Sequence, residues 1–190
     1  ANVTGGVGAG SGIINETLIN TSASNGVATY TVTPTSISGG CIGTPYVIMV
    51  PVNPAPVAND FTRAAICSNE TFVESLQAKI SNSVISTFTW VAAYDPGLLG
   101  GAGSGAGDIS ETLTNSSAAV ANAVYTITPT SGNGCVGVPF NVTIPVKNVE
   151  VFTDVTDPAI CSGTIYSYNP GNIISWTATY GPNLSGGQPS

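Results

Sequence analysis

Residues 125–139 read YTITPTSGNGCVGVP, and residues 30–45 read YTVTPTSISGGCIGTP. Around the first of these the side chains alternate. In AVYTIT (123–128), Ala123, Tyr125 and Ile127 share one face, and Val124, Thr126 and Thr128 the other. In FNVTIPV (140–146), Phe140, Val142, Ile144 and Val146 point one way while Asn141 and Thr143 point the other. A period of two with one apolar face marks half-buried antiparallel strands. The short Gly- and Asn-containing stretch between the two runs reads as a hairpin connection. Pro51 and Pro145 recur inside the last strand, where each ring nitrogen must face away from a partner.

The same message is written twice. At an offset of 95, residues 14–36 align with 109–131 with 14 identities in 23 positions. At an offset of 94, GCIGTPYVIMVPV (40–52) falls on GCVGVPFNVTIPV (134–146), and AICS (65–68) on AICS (159–162). TFTWVAAY (87–94) resembles IISWTATY (173–180) at an offset of 86. A repeat of about 95 residues overrides any single-domain reading. The expected fold is all-β: tandem immunoglobulin-like antiparallel sandwiches, with about seven short strands each and a Trp on an early central strand. Trp90, Trp176, Tyr30 and Tyr125 are assigned to cores.

The repeats are out of phase with the chain. Residues 55–148 hold one whole unit, 1–54 the second half of a unit, and 149–190 the first half of the next. Cys67 precedes Glu111 by 44 positions, and Cys161 would precede the Glu16 of a following copy by 45. The expectation is a window on a longer array, or copies that complete one another head to tail.

Composition narrows the function. Ten acidic residues against three basic ones, Arg63, Lys79 and Lys147, give a net charge of −7. Nucleic acids and anionic membranes are poor partners for such a chain. Charged residues are 7% of the chain, against roughly 25% in an average protein, so Thr, Ser, Asn and Gly must cover its surface. No run approaches the ~20 apolar residues of a membrane span, and no secretory leader is recognised.

The ordered set AICS, a Trp strand, GDISETLTN, YTITPTS, GCVGVPF and VTIPV resembles the PKD-like (polycystic-kidney-disease-like) immunoglobulin-fold repeats of giant surface proteins of the Bacteroidota. Gliding-motility adhesins exported by type IX secretion are among those proteins. The resemblance covers essentially the whole chain and implies an extracellular array acting as stalk, filament or adhesin. One departure is Asn69-Glu70 where the second copy has Gly163-Thr164, so the turn after Cys67 is expected to differ between repeats.

With no His and no CxxC, the cysteines are read as structural disulfides rather than zinc ligands. Cys67 with Cys135 closes a loop of 68 residues, leaving Cys41 and Cys161 to pair across adjoining copies. The rival set is Cys41–Cys67 and Cys135–Cys161, each 26 residues apart. The Gly-rich runs 5–12 and 97–107 lack the Lys and Ser/Thr of a phosphate loop and read as flexible or tightly packed backbone. Glu150, Asp154 and Asp157 are weak calcium candidates without an EF-hand spacing. Glu16 and Glu111 supply one carboxylate per repeat, suited to a strand-end or cross-strand contact but not to acid–base catalysis. Seven Asn-x-Ser/Thr sequons begin at Asn2, Asn15, Asn20, Asn69, Asn115, Asn141 and Asn183. No isopeptide bond of Lys79 or Lys147 is specified.

The nucleophile and acid–base sets of enzymes cannot be assembled from these residues. The expectation is a non-catalytic extracellular structural segment that needs no cofactor and whose partners are further copies of the repeat. The alternative is a carbohydrate-binding module for surface glycans, with Tyr166 and Tyr168 as its exposed aromatics.

Overall fold

A computed structural model describes residues 3–150, 153–169, 171 and 175–184. The chain divides into two compact units, Ala1–Val151 and Phe152–Ser190. The strands of the first are β1 (Val3–Thr4), β2 (Ile19–Asn20), β3 (Gly26–Val32), β4 (Tyr46–Val52), β5 (Phe61–Thr62), β6 (Ile66–Cys67), β7 (Thr71–Glu74), β8 (Ser86–Tyr94), β9 (Leu98–Leu99), β10 (Ser104–Ala106), β11 (Ile109–Thr112), β12 (Thr114–Asn115), β13 (Ala121–Ser131) and β14 (Phe140–Lys147). One 3-10 turn, Gln77–Lys79, interrupts them. The described residues of the second unit contain no strand.

Between residues 61 and 147 the architecture is a two-layer all-β sandwich. One layer is a sheet in the order β10-β8-β13-β14-β5, with β6 also on the outer edge of β14. The other is made of the short antiparallel ladders β7–β11 and β9–β12. The alternating faces meet between them. Ala121, Ala123, Tyr125 and Ile127 of β13, and Phe140, Val142, Ile144 and Val146 of β14, are all buried. Phe72, Leu98, Ile109 and Leu113 close the core from the opposite layer. Tyr125 is at its centre, fully enclosed, with the rings of Trp90, Phe72 and Tyr94 edge-on at 5.5, 6.2 and 6.2 Å. Such aromatic pairs contribute about 0.5–1.5 kcal/mol each beyond the area they bury.

Pro145 shows how the sheet accommodates a residue with no N–H. The parallel partners of β14 are broken in two, β5 against Val142–Thr143 and β6 against Val146–Lys147. Pro145 falls in the gap between them, where no donor is needed.

Residues 1–54 form fewer contacts. β3 pairs with β4 from Gly26↔Val52 to Val32↔Tyr46, and β1 pairs with β2. Among the described residues the second edge of β3 has no partner, whereas β13 at the matching place in the repeat carries β8 along Ala123↔Tyr94 to Ser131↔Ser86. Of this hairpin's β4, Tyr46 and Ile48, in the phase of the buried Phe140 and Val142, are exposed, and Val47 and Met49 lie exposed on the other face.

Candidate functional site

The residue that recurs as Glu16 and Glu111 organises each repeat. Glu111 Oε2 accepts the hydroxyl protons of Tyr125 (2.5 Å) and Tyr94 (3.1 Å), and its Oε1 accepts the Ala102 amide (3.0 Å). Glu16 accepts from Tyr30 (2.8 Å) and from the Val7 amide (2.9 Å), the counterparts of Tyr125 and Ala102. Its second tyrosine is missing. Burial first, and then the Glu111 bond, push the Tyr125 hydroxyl far above its ordinary pKa. Burial likewise raises Tyr94. The Glu16 hydrogen bond raises Tyr30.

The Gly-rich segment exists to let aromatic rings lie on backbone. A Cβ on Gly101 would fall 2.1 Å from the Tyr94 ring, and one on Gly105 2.3 Å from the Trp90 ring. Gly6 and Gly10 are the matching residues of the first repeat. No ring covers either: a Cβ on Gly10 meets nothing within 4 Å, and one on Gly6 meets only the Glu16 carboxylate. The matching aromatics of the second half-repeat, Trp176 and Tyr180, are 62% and 52% exposed.

Other expected site residues fall as follows. Trp90 and Tyr125 lie inside the sandwich core. Tyr30 is only half-buried and Trp176 is exposed, so neither lies in a core among the described residues. The cysteines also require correction. No two of the four are bonded to one another within the chain. Cys67 is paired beside Lys147 at one end of β14, while Cys135 lies in the turn that precedes Phe140 at the other. Seven residues of strand separate those ends by about 23 Å, against a Cα separation of about 4.4–6.8 Å in a disulfide. The Cys67–Cys135 bond therefore does not form within the domain. Chain spacing could not reveal which end of a strand each cysteine would reach.

The turn after Cys67 is likewise conserved in shape. Asn69 adopts φ 65°, as Gly163 adopts φ 83°, because Asn tolerates the left-handed region. Glu70 N–H donates to the Cys67 carbonyl as Thr164 N–H does to Cys161.

Two sequons are structural. Asn115 Nδ2 donates to the carbonyls of Val146 and Ala119, and Asn20 Nδ2 to those of Val52 and Ser24. Both side chains are buried, which leaves neither amide open to a glycan. Tyr166 donates to Asp157. Among the described residues no group of three acidic, His or Cys side chains is gathered to hold a metal ion. An open groove of about 470 Å³ runs along Trp90, Gly105, Asp108 and Glu111. The Trp90 Nε1 is, among the described residues, a buried donor without a partner.

The model of the PKD-like domain matches residues 1–56 and again 64–150. The chain belongs to the PKD-like domain family. Two matched segments within one chain account for the doubled Glu–Tyr and Asn motifs. PKD-like domains are immunoglobulin-like sandwiches that generally serve as extracellular, non-catalytic modules. No curated protein matches the chain. No described helix is long and apolar enough to cross a membrane.

Proposed function

We propose that this PKD-like chain is a structural segment of an extracellular filament or adhesin stalk. Residues 55–148 act as a whole domain, and residues 149–190 of one copy complete residues 1–54 of the next. Surface adhesins of the gliding-motility, type IX-secreted kind are the setting the repeat resemblance favours. The observation that carries the reading is the pair of bare glycines. Gly6 and Gly10 keep the space that Gly101 and Gly105 keep for Tyr94 and Trp90, and the same chain holds Tyr180 and Trp176 in the open. Carrying the β8–β13 register across the repeat sets Tyr180 opposite Ala28, Ala178 opposite Tyr30 and Trp176 opposite Val32. Tyr180 then supplies Glu16 with its missing hydroxyl. An added strand satisfies the free backbone edge of β3 and buries apolar side chains on alternate positions.

A substitution at Gly10 tests this cleanly. Gly10 is free of the left-handed backbone and has open space above it. Gly10→Val should leave the melting temperature of the unassembled chain unchanged yet abolish the large species seen by light scattering at high concentration. Trp176→Ala should weaken assembly at least tenfold. Assembly that is indifferent to both substitutions would contradict the reading. The glycan alternative rests on the exposed Tyr166 and Tyr168. It predicts saturable binding on a sugar array that is lost on Tyr166→Ala.

A further inference from the structure

We infer that the four cysteines join successive copies covalently, Cys161 of one copy to Cys135 of the next and Cys67 of one to Cys41 of the next; this rests on the head-to-tail completion proposed above. Within the sandwich, Cys67 is registered opposite Lys147, the last residue of β14, and the following Ser68 N–H donates to the Lys147 carbonyl. In the first repeat Asn53 occupies the place of Lys147. The AICS cysteine that completes that repeat is Cys161 of the preceding copy, so the same register sets it opposite Asn53.

The other thiol is already there. Cys135 Sγ lies 4.0 Å from the Asn53 carbonyl oxygen and is half-buried. Its turn is pressed onto the junction: a Cβ on Gly137 would fall 2.4 Å from the Pro56 carbonyl oxygen. By the repeat of the Ser68–Lys147 bond, Ser162 of the preceding copy donates to the same Asn53 carbonyl that Cys135 Sγ approaches, and with adjacent strands about 4.8 Å apart this brings Cys161 beside Cys135. The second seam follows by the repeat. Cys41 occupies the turn position of Cys135, and each cysteine amide is held by the matching serine, Ser36 or Ser131. The domain that precedes the completed one is residues 55–148 of the earlier copy, which offers Cys67 at its far end. Both bonds thus cross the boundary between copies. Each end of a domain presents one cysteine, and none of the four has a partner in its own chain.

Each bond needs an oxidant, and a small disulfide donor of the glutathione type supplies it. A thiolate attacks one donor sulfur and expels one thiol. The second cysteine thiolate then attacks the mixed disulfide and expels the other. Two protein thiols lose two protons and two electrons, and the donor disulfide gains both as two thiols.

The test is to concentrate the chain with glutathione disulfide, cap residual thiols with iodoacetamide, and run denaturing gels without reductant. The expected result is a ladder in steps of 19.0 kDa that collapses on reduction. Mass mapping should show Cys135–Cys161 and Cys41–Cys67 peptides. Cys41→Ser with Cys67→Ser should keep the ladder, as should Cys135→Ser with Cys161→Ser. Cys41→Ser with Cys135→Ser should abolish it. Assemblies by light scattering whose chains run as monomers on the gel would overturn the bonds and leave completion standing. A chain that stays monomeric under both oxidising and reducing conditions would overturn completion and the bonds together.

Discussion

Glu111 is the residue on which each domain turns, because a single carboxylate satisfies two tyrosine hydroxyls and a backbone amide at the edge of the core. Removing it strands the Tyr125 hydroxyl, which belongs to a fully enclosed side chain. Glu111→Ala should cost about 1–3 kcal/mol, read as a lower urea midpoint. The tyrosines add a pH dependence. Folding raises the Tyr125 hydroxyl well above its ordinary value of 10.0. The stabilisation is therefore complete below about pH 10 and is lost as pH climbs past it, since the unfolded chain releases a proton that the fold retains. Urea unfolding at about pH 8 and about pH 11 should show a drop at the higher pH that Tyr125→Phe reduces. The sequence showed Glu111 as a recurrent carboxylate suited to a cross-strand contact. It did not show which hydroxyls would reach it, because Tyr94 and Tyr125 arrive from different strands. The glycines under Trp90 and Tyr94 were legible only as packed or flexible backbone, since an absent Cβ leaves no periodic trace.

At the scale of elements, alternation in β13 and β14 was enough to assign their buried faces, and the hairpin between them followed from its turn residues. Strand order was not legible. The edge of β14 is shared by β5 and β6, two strands of two residues each, too short to carry a period. Just beyond them lies a charge cluster that composition concealed. Glu74 is buried and receives both Arg63 (3.2 Å) and Lys79 (2.8 Å), two of the three cations in the chain. The cations also lie over aromatic rings, Arg63 over Phe72 and Lys79 over Phe61. Glu74→Gln removes the charge that holds β7, the 3-10 turn and the approach to β5 together. It should lower stability by about 1–3 kcal/mol, measured by thermal unfolding. An unchanged midpoint would show the cluster to be ornamental.

At the scale of the molecule, the repeat was legible because two offsets of nearly equal size align most of the chain, and the family match falls on it twice. The positions of the cysteines were not legible, since which end of a strand each reaches depends on the pairing of β6 with β14. Where residues 1–54 meet residues 55–150, the Asn82 side chain spans the junction. Asn82 Nδ2 donates to the carbonyls of Thr21 (3.1 Å) and Ala55 (2.8 Å), and its Oδ1 accepts the Val57 amide (3.1 Å). A junction so tied limits bending between the two segments. Asn82→Ala should loosen it, seen in X-ray scattering as a broader distribution of intramolecular distances while the core melts as before. The central claim is that each half-domain is completed by the next copy, and a cryo-EM reconstruction of the concentrated chain tests it most directly. Head-to-tail completion predicts a continuous fibre in which Trp176 and Tyr180 of one copy lie over Gly10 and Gly6 of the next, with their strand on the free edge of β3. Separate particles, with residues 1–54 and 149–190 each folded as self-contained domains, would contradict it.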